Sequence, residues 1–169
     1  DSILGHLELE RAVVVSLADG SVLRSPNGLV WDQPDPLLGI DQGSGVLRGP
    51  ATGENAQGFS FQSAAVELDG SQQLVSLVGA AQVNLPANRV INAERLNLWA
   101  TEGSQRIEAP DAVQWRGPLS TGSGSGLLYD AATRLLTFAR DVSISFLDLT
   151  GHKQLDLNSK GPLSWRGPA

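Results

Sequence analysis

Apolar side chains recur at every second position through most of this chain, and this spacing constrains the fold more than any other feature. The clearest run covers residues 79–146. A shorter run at 7–17 has apolar side chains at positions 7, 9, 13, 15 and 17. A period of two places successive side chains on opposite faces of a β-strand, whereas an amphipathic helix repeats near 3.6. The chain is therefore predicted to be all-β.

Turn-forming residues divide the alternating runs into short strands. The chain contains 19 Gly and 9 Pro, which favour chain reversals and disfavour long helices. Asp19-Gly20 and Asp69-Gly70 each predict a hairpin, and Thr150-Gly151 predicts a turn between two strands within 148–158. We expect no helix and no domain boundary. Residues 1–169 are thus predicted to form one domain, and the prediction allows for truncation at one or both ends.

Several segments are predicted to interrupt the strands. Residues 33–38 contain two prolines, which exclude a central strand and predict a loop or a sheet edge. Arg48-Gly49-Pro50 is predicted to end a short strand at 44–47, and Pro110 to interrupt a strand at 106–115. The sequence S-T-G-S-G-S-G at 120–126 has the composition of a linker, and its position inside a repeat predicts a mobile turn.

Residues 89–99 form the longest uninterrupted candidate strand, and here a helix competes. The apolar positions 90, 91, 93, 96, 98 and 99 fit neither period cleanly. Turn residues on both sides and strand-like neighbours favour a strand. Just upstream, Gly79 predicts a break or a bulge.

Charge and composition exclude several classes of function. The net charge is −6 and no run of basic residues occurs, so neither nucleic acid nor an anionic membrane surface is an expected partner. The absence of cysteine excludes a disulfide scaffold, Cys-ligated zinc and a cysteine nucleophile. No stretch approaches the roughly 18 apolar residues of a membrane-spanning helix. Because the chain begins at Asp1, we expect that a signal or anchor was removed or that the chain was cut.

A weak internal repeat is visible around three Arg-Gly-Pro sequences, at 48–50, 116–118 and 166–168. The segments that follow the first two Arg-Gly-Pro sequences align with each other, and the alignment shifts by one residue partway along. Weakly repeated short strands cannot bury a face alone and must stack on their neighbours. The unequal spacing argues against a strict solenoid and against a propeller with blades of fixed length.

Three segments resemble the OstA/LptA/LptC-like domain family of the lipopolysaccharide transport system. Residues 122–144 follow the pattern G-x-x-x-x-φ-x-Y-D-x-x-T-x-x-L-T-φ-x-x-x-V-x-I, where φ is apolar. Residues 75–85 (V-S-L-V-G-A-A-Q-V-N-L) are similar to the family's V-x-L-x-G-x-V-x-L hairpin, and residues 89–98 (R-V-I-N-A-E-R-L-N-L) to its I-x-A-D-x-L-x-φ strand. The resemblance covers 53–149 well and the N-terminal third loosely.

The resemblance implies an antiparallel, V-shaped β-jelly roll (a "β-taco") with an open hydrophobic groove for acyl chains. It implies a non-enzymatic, periplasmic carrier or bridge for lipopolysaccharide or a similar lipid, in outer-membrane biogenesis. Partners would be other Lpt-type β-domains joined by edge-strand pairing, an inner-membrane ABC transporter, or further copies of this chain joined head to tail. The expected role is either LptC-like, with an N-terminal membrane helix absent from this chain, or LptA-like. No cofactor is expected.

Ten apolar residues are the best candidates for the wall of such a groove, because they alternate with polar residues along their strands: Val83, Leu85, Leu96, Leu98, Val113, Trp115, Leu136, Phe138, Ile144 and Phe146. The parity of the residues that face inward is left open by the sequence.

No constellation of residues predicts catalysis or metal binding. His6 and His152, the two histidines, lie 146 positions apart, and no carboxylates stand at metal-ligand spacing beside them. Two carboxylate pairs could serve a glycosidase, Glu94 with Glu108 and Asp111 with Asp130. Their polar and turn-rich flanks favour solvated strand faces instead. We therefore predict that the chain is not an enzyme and holds no metal.

Four tryptophans, at positions 31, 99, 115 and 165, support a different function. Tryptophan rings stack on sugars, so a carbohydrate-binding or structural β-repeat module is the alternative to lipid carriage. Three of the four end repeat units, where a role in anchoring the core or the groove rim is favoured. A β-helical glycan hydrolase or lyase is a third hypothesis that no particular feature supports.

Overall fold

The computed structural model describes residues 5–17, 19–33, 42–56, 58–101, 104–130 and 132–166. These residues form fourteen antiparallel strands in one open sheet that does not close on itself, and none of them is in an α-helix. The strands are β1 (His6–Leu9), β2 (Val13–Ser16), β3 (Val22–Ser25), β4 (Leu29–Asp32), β5 (Ser44–Glu54), β6 (Ser60–Asp69), β7 (Leu74–Leu85), β8 (Arg89–Thr101), β9 (Ser104–Arg116), β10 (Ser120–Asp130), β11 (Leu135–Phe138), β12 (Arg140–Leu147), β13 (Lys153–Ser159) and β14 (Leu163–Arg166). The all-β prediction is confirmed.

The six long strands, β5 to β10, pair in chain order as a meander. Each of the five pairings contains one register shift partway along, as between Val78 and Ala81 where β7 meets β8. The predicted break or bulge at Gly79 lies in this shift, and Gly79 has a φ of +79°. The shifts lie at neighbouring positions on successive strands, so they form a continuous line across the sheet. A β-bulge bends the strand that carries it.

This line divides the sheet into two wings. The first wing has the order β1-β4-β5-β6-β7-β8-β9-β10-β11-β14. The second wing contains β2, β3, the opposite ends of β5 to β10, then β12 and β13. Short strands replace long ones at the margins, because β1–β2, β3–β4, β11–β12 and β13–β14 are each interrupted where the chain passes between the wings. The chain thus makes ten passes over the line, six as long strands and four as pairs of short ones.

Both wings contribute to one hydrophobic core. Leu47, Leu77 and Leu96 of the first wing have no exposed surface, and Val83 and Val113 of the second wing are almost as deeply buried.

Aromatic rings join the two wings directly. Trp115 of the second wing stacks on Phe138 of the first, with ring centroids 4.8 Å apart. Phe146 and Trp165 make a similar contact at 5.9 Å. The inner faces of the two wings therefore pack against each other.

Two predicted strand segments and two predicted interruptions differ in the structure. The predicted strand at 7–17 is two strands, because residues 10–12 pass from the first wing to the second. Arg48-Gly49-Pro50 does not end a strand but lies inside β5, where the pairing with β6 jumps from Arg48 to Ala51. Pro110 does not interrupt β9, since its missing N–H falls within the register shift opposite β10. Residues 148–158 hold one strand, β13, rather than two.

The segment 120–126 is the clearest correction, because it is strand β10 and not a mobile turn. It pairs with β9 on one side and with β12 on the other. Its glycines make room for aromatic rings: a Cβ at Gly122 would lie 2.3 Å from the ring of Trp115, and one at Gly124 would lie 2.8 Å from that of Phe138. Close packing against these rings therefore requires glycine at positions 122 and 124, which explains the linker-like composition of the segment.

Residues 89–99 are confirmed as a strand, β8, and the structure explains their mixed periodicity. The register of β8 against β9 shifts between Ala93 and Asn97, so the alternation changes phase within the strand. The predicted loop at 33–38 lies outside the described residues except for Gln33.

Candidate functional site

The ten predicted groove residues all lie on the inner face of the sheet. Five belong to the buried core, namely Val83, Leu96, Val113, Phe138 and Ile144, and five are partly buried against it, namely Leu85, Leu98, Trp115, Leu136 and Phe146. The structure brings them together from both wings. Lipid contact by these residues stays a prediction.

An apolar cleft opens where the inner faces of the two wings meet near several hairpins. Leu98, Ile107 and Tyr129 line it from the first wing, and Leu23 and Phe61 line it from the second. Its enclosed part measures about 60 Å³, and about 650 Å³ when the solvent-filled space at its mouth is included. Sites for drug-sized ligands measure about 300–1,000 Å³. The enclosed part alone is therefore too small for an acyl chain.

The sequence did not single out most of this cleft. Of the ten predicted groove residues, only Val83 and Leu98 line it. Phe61, Ile107 and Tyr129 had the alternating spacing that could have identified them, but their convergence depends on how the wings pack.

Exposed apolar side chains are concentrated on the edge strands. Within the described residues, β1, β2, β13 and β14 each pair with a single neighbour. Five of the eight exposed large apolar residues lie on them, namely Leu7, Leu9, Val14, Leu155 and Trp165. An edge strand with unpaired backbone groups and apolar side chains is a template for another strand. The sheet therefore has such an edge at each end of each wing.

The candidate catalytic groups occupy turns and exposed faces. His6 Nδ1 lies 2.6 Å from Asp32 Oδ1, and His152 Nδ1 lies 2.7 Å from Thr150 Oγ1, with both histidines exposed. No group of three or more His, Cys, Asp or Glu side chains that could hold a metal ion occurs within the described parts of the chain.

The four carboxylates considered for glycoside hydrolysis lie on strands β8, β9 and β10. Glu94 and Asp111 are exposed, and Glu108 and Asp130 are half-buried. Asp130 Oδ1 accepts the backbone N–H groups of Ala132 and Thr133, at 2.9 and 3.0 Å, so it caps the β10–β11 turn.

Three carboxylates have lowered pKa values, and all three are hydrogen-bonded in or beside hairpins. The Ser71 hydroxyl lowers the pKa of Asp69, and the Thr150 hydroxyl and the His152 N–H lower that of Asp148. Donation by Ser145, with a smaller coulombic contribution from Lys153, lowers the pKa of Asp156. Hydrogen bonds to the charged form produce this direction. The same hydrogen bonds hold two hairpin turns and one cross-strand pair.

The tryptophans lie mainly on the inner face. Trp31 and Trp115 are partly buried against the core, and Trp165 is about half exposed while stacking on Phe146. Trp99 is half-buried, and the Arg106 guanidinium lies 5.0 Å from the centre of its ring. The tryptophans thus form no common exposed platform for a sugar chain.

Comparison with known proteins adds no assignment, because no family model and no curated protein matches this chain. No helix among the described residues is both long enough and apolar enough to cross a membrane.

Proposed function

We propose that this chain is a non-enzymatic, periplasmic carrier of lipopolysaccharide or a similar amphipathic lipid, in an LptC-like or LptA-like role. The observation that carries the proposal is the apolar cleft lined by the inner faces of both wings. The resemblance of residues 53–149 to lipopolysaccharide-transport domains supports the same function. The β-taco shape and the open groove of that family are part of the proposal.

Lipid binding on this proposal requires the wings to move apart at the cleft, because its enclosed volume is small. Half-buried side chains such as Leu98 and Tyr129 would exchange contacts with the opposite wing for contacts with an acyl chain. Each methylene group that leaves water gains about 0.8 kcal/mol. Because one set of apolar contacts replaces another, the lipid would be held and could still pass to a neighbour.

Neighbouring domains would join at the edge strands. A partner strand would add to β1 or β2 at one end of the sheet and to β13 or β14 at the other. Backbone hydrogen bonds would supply generic affinity, and the exposed apolar side chains would supply contact area. Both Lpt-type β-domains and further copies of this chain, joined head to tail, fit this arrangement, and an inner-membrane ABC transporter would supply the lipid.

Photo-crosslinking tests the lipid site. A photoreactive residue at Leu98 or Tyr129, in the cleft, is expected to capture lipopolysaccharide. The same residue at Asn92 or Ser143, on the outer face of the second wing, is expected to capture little. Phe138 and Ile144, two of the ten predicted groove residues, are 1% and 6% exposed, so capture there would require separated wings. Equal capture at inner and outer positions would contradict a lipid site between the wings.

A further inference from the structure

A row of uncharged hydrogen-bonding side chains crosses the outer face of the second wing. Register pairs connect its members in sequence from β5 to β13. The amide–hydroxyl row consists of Thr52, Gln62, Gln82, Asn92, Gln114, Ser123, Ser143 and Asn158. Their neighbours along the strands, such as Phe61, Val83 and Val113, are buried on the other face. The row is thus a continuous outward surface formed by eight adjacent strands.

Charged residues lie on the outer faces of both wings. The first wing carries the ion pairs of Arg48 with Glu8 and of Arg95 with Glu67. On the second wing, Arg24 lies beside Thr52 in register and pairs with Glu54, and Asp156 on β13 pairs with Lys153. The eight positions of the row itself are uncharged.

The centre of the row borders a shallow, open depression of about 510 Å³. Its lining includes Gln82, Asn92, Gln114, Ser123 and Ser143, and the single charged residue that lines it is Arg116. No carboxylate is among the lining residues, and the Asp156 carboxylate beside them accepts a hydrogen bond from the lining residue Ser145 at 2.6 Å. An anionic or cationic ligand would therefore find little opposite charge in it.

The hydrogen-bonding groups in this depression are mostly unused. Three lining side chains are hydrogen-bonded: Gln82 donates to Asn84 at 3.0 Å, Thr121 donates to the Trp115 carbonyl at 3.2 Å, and Ser145 donates to Asp156 at 2.6 Å. In contrast, the side chains of Asn92, Gln114 and Ser143 form no hydrogen bond with any other described residue, and neither does that of Ser123. Four adjacent donor-and-acceptor side chains on β8, β9, β10 and β12 are thus available to a ligand.

We propose that the amide–hydroxyl row binds an extended, uncharged polysaccharide that lies across the strands. Side-chain amides and hydroxyls both donate and accept hydrogen bonds, and so do sugar hydroxyls. Adjacent strands lie about 4.8 Å apart, so the row offers a hydrogen-bonding group at intervals close to the length of one pyranose unit. Gln114 at the centre would bond one unit, and Asn92 and Ser123 on either side would bond the next ones.

This site is on the face of the sheet opposite the lipid cleft, so it does not depend on the proposed lipid function. Other ligand classes fit the surface less well. An added peptide strand needs the free backbone of an edge, whereas β8, β9 and β10 are paired on both sides. An acyl chain needs an apolar surface, and Val90 is the one aliphatic side chain in the lining.

Calorimetric titration of the whole chain with chitohexaose and with cellohexaose tests the proposal. The two probes distinguish an amide-bearing sugar from one that carries hydroxyls alone. We expect saturable binding of at least one probe. Asn92→Ala and Gln114→Ala should each weaken it about five-fold, which corresponds to the loss of about one net hydrogen bond.

Gln72→Ala is the matched control, because Gln72 is an exposed amide in the β6–β7 hairpin, away from the row. All three positions are exposed, so the substitutions are expected to leave folding intact, which circular dichroism would verify. The absence of saturable binding by both probes at millimolar concentration would overturn the proposal. Binding that Asn92→Ala and Gln114→Ala leave unchanged would also overturn it. Neither result bears on lipid capture at Leu98 or Tyr129.

Discussion

Substitution of Gly122 by alanine tests whether 120–126 is a packed strand. Gly122 pairs with Trp115 of β9 and with Ile144 of β12. A Cβ at this position would lie 2.3 Å from the ring of Trp115 and 2.5 Å from the backbone oxygen of Ser143. The ring could turn aside, but the backbone oxygen is fixed by the sheet. The clash must therefore displace the pairing of β10 with β12.

The magnitude follows from the cost of overpacking, which is typically about 1–3 kcal/mol. For a chain of this size, each kcal/mol lowers Tm by about 2–4 °C. A destabilisation near the middle of the range, about 2 kcal/mol, should thus lower Tm by about 4–8 °C. Urea unfolding followed by circular dichroism at 25 °C would measure the free energy directly, with thermal unfolding as the second measurement.

The control is Gly161→Ala, because nothing lies within 4 Å of a Cβ at Gly161. It should leave the free energy of unfolding unchanged or raise it by up to about 1 kcal/mol, because alanine restricts the unfolded chain and meets no clash at this position. If 120–126 were a mobile turn, Gly122→Ala would instead stabilise the protein by about 0.4–1 kcal/mol, because alanine restricts the unfolded chain. Unchanged or increased stability of Gly122→Ala would therefore refute the packing argument.

Three further predictions concern the core, a hairpin and the edges. Leu96→Ala should lower the free energy of unfolding by about 2–5 kcal/mol, because Leu96 has no exposed surface, whereas Leu149→Ala should be near neutral in the same urea assay. The pKa of Asp148 is lowered, so the Asp148 carboxylate stabilises the fold at pH values above the ordinary value of 3.8. This stabilisation is lost as the pH falls through the folded-state pKa. The urea midpoints at pH 7 and pH 3 should therefore differ less in Asp148→Ala than in the native chain. Val14→Lys on edge strand β2 should weaken self-association in sedimentation velocity experiments, whereas Val46→Lys on the internal strand β5 should not, and equal effects would contradict edge-strand pairing.

The strands were predictable from the sequence where alternation is regular, because one buried face imposes a period of two. The errors cluster where the strands cross between the wings. Pro110 and Arg48-Gly49-Pro50 have the local composition of strand ends, but a register shift accommodates both inside a strand. The glycines of 120–126 have the composition of a linker, and only the rings of Trp115 and Phe138 explain why they are needed.

Alternation with polar residues identified the ten groove candidates, which lie on the inner face in the structure, but the sequence alone left the inward parity open. The amide–hydroxyl row was visible only as polar positions between apolar ones. Its alignment depends on the register of every pairing from β5 to β13, and that register depends on which residues form the shifts. Local sequence does not determine those residues. The depression beside Asn92 and Gln114 therefore could not be predicted.

The ten passes of the chain over the line of register shifts have a consequence for folding. Each pass pairs with the one before it and the one after it in the chain. The loops that must close to form these pairings are therefore short, and the entropic cost of closing them is small. Growth can spread from the central hairpins β7–β8 and β8–β9 toward both ends, as in repeat proteins. The marginal short strands would then be the last to form and the first to open. In native-state hydrogen exchange, amide protection should fall stepwise from β8 outward to β1 and β14.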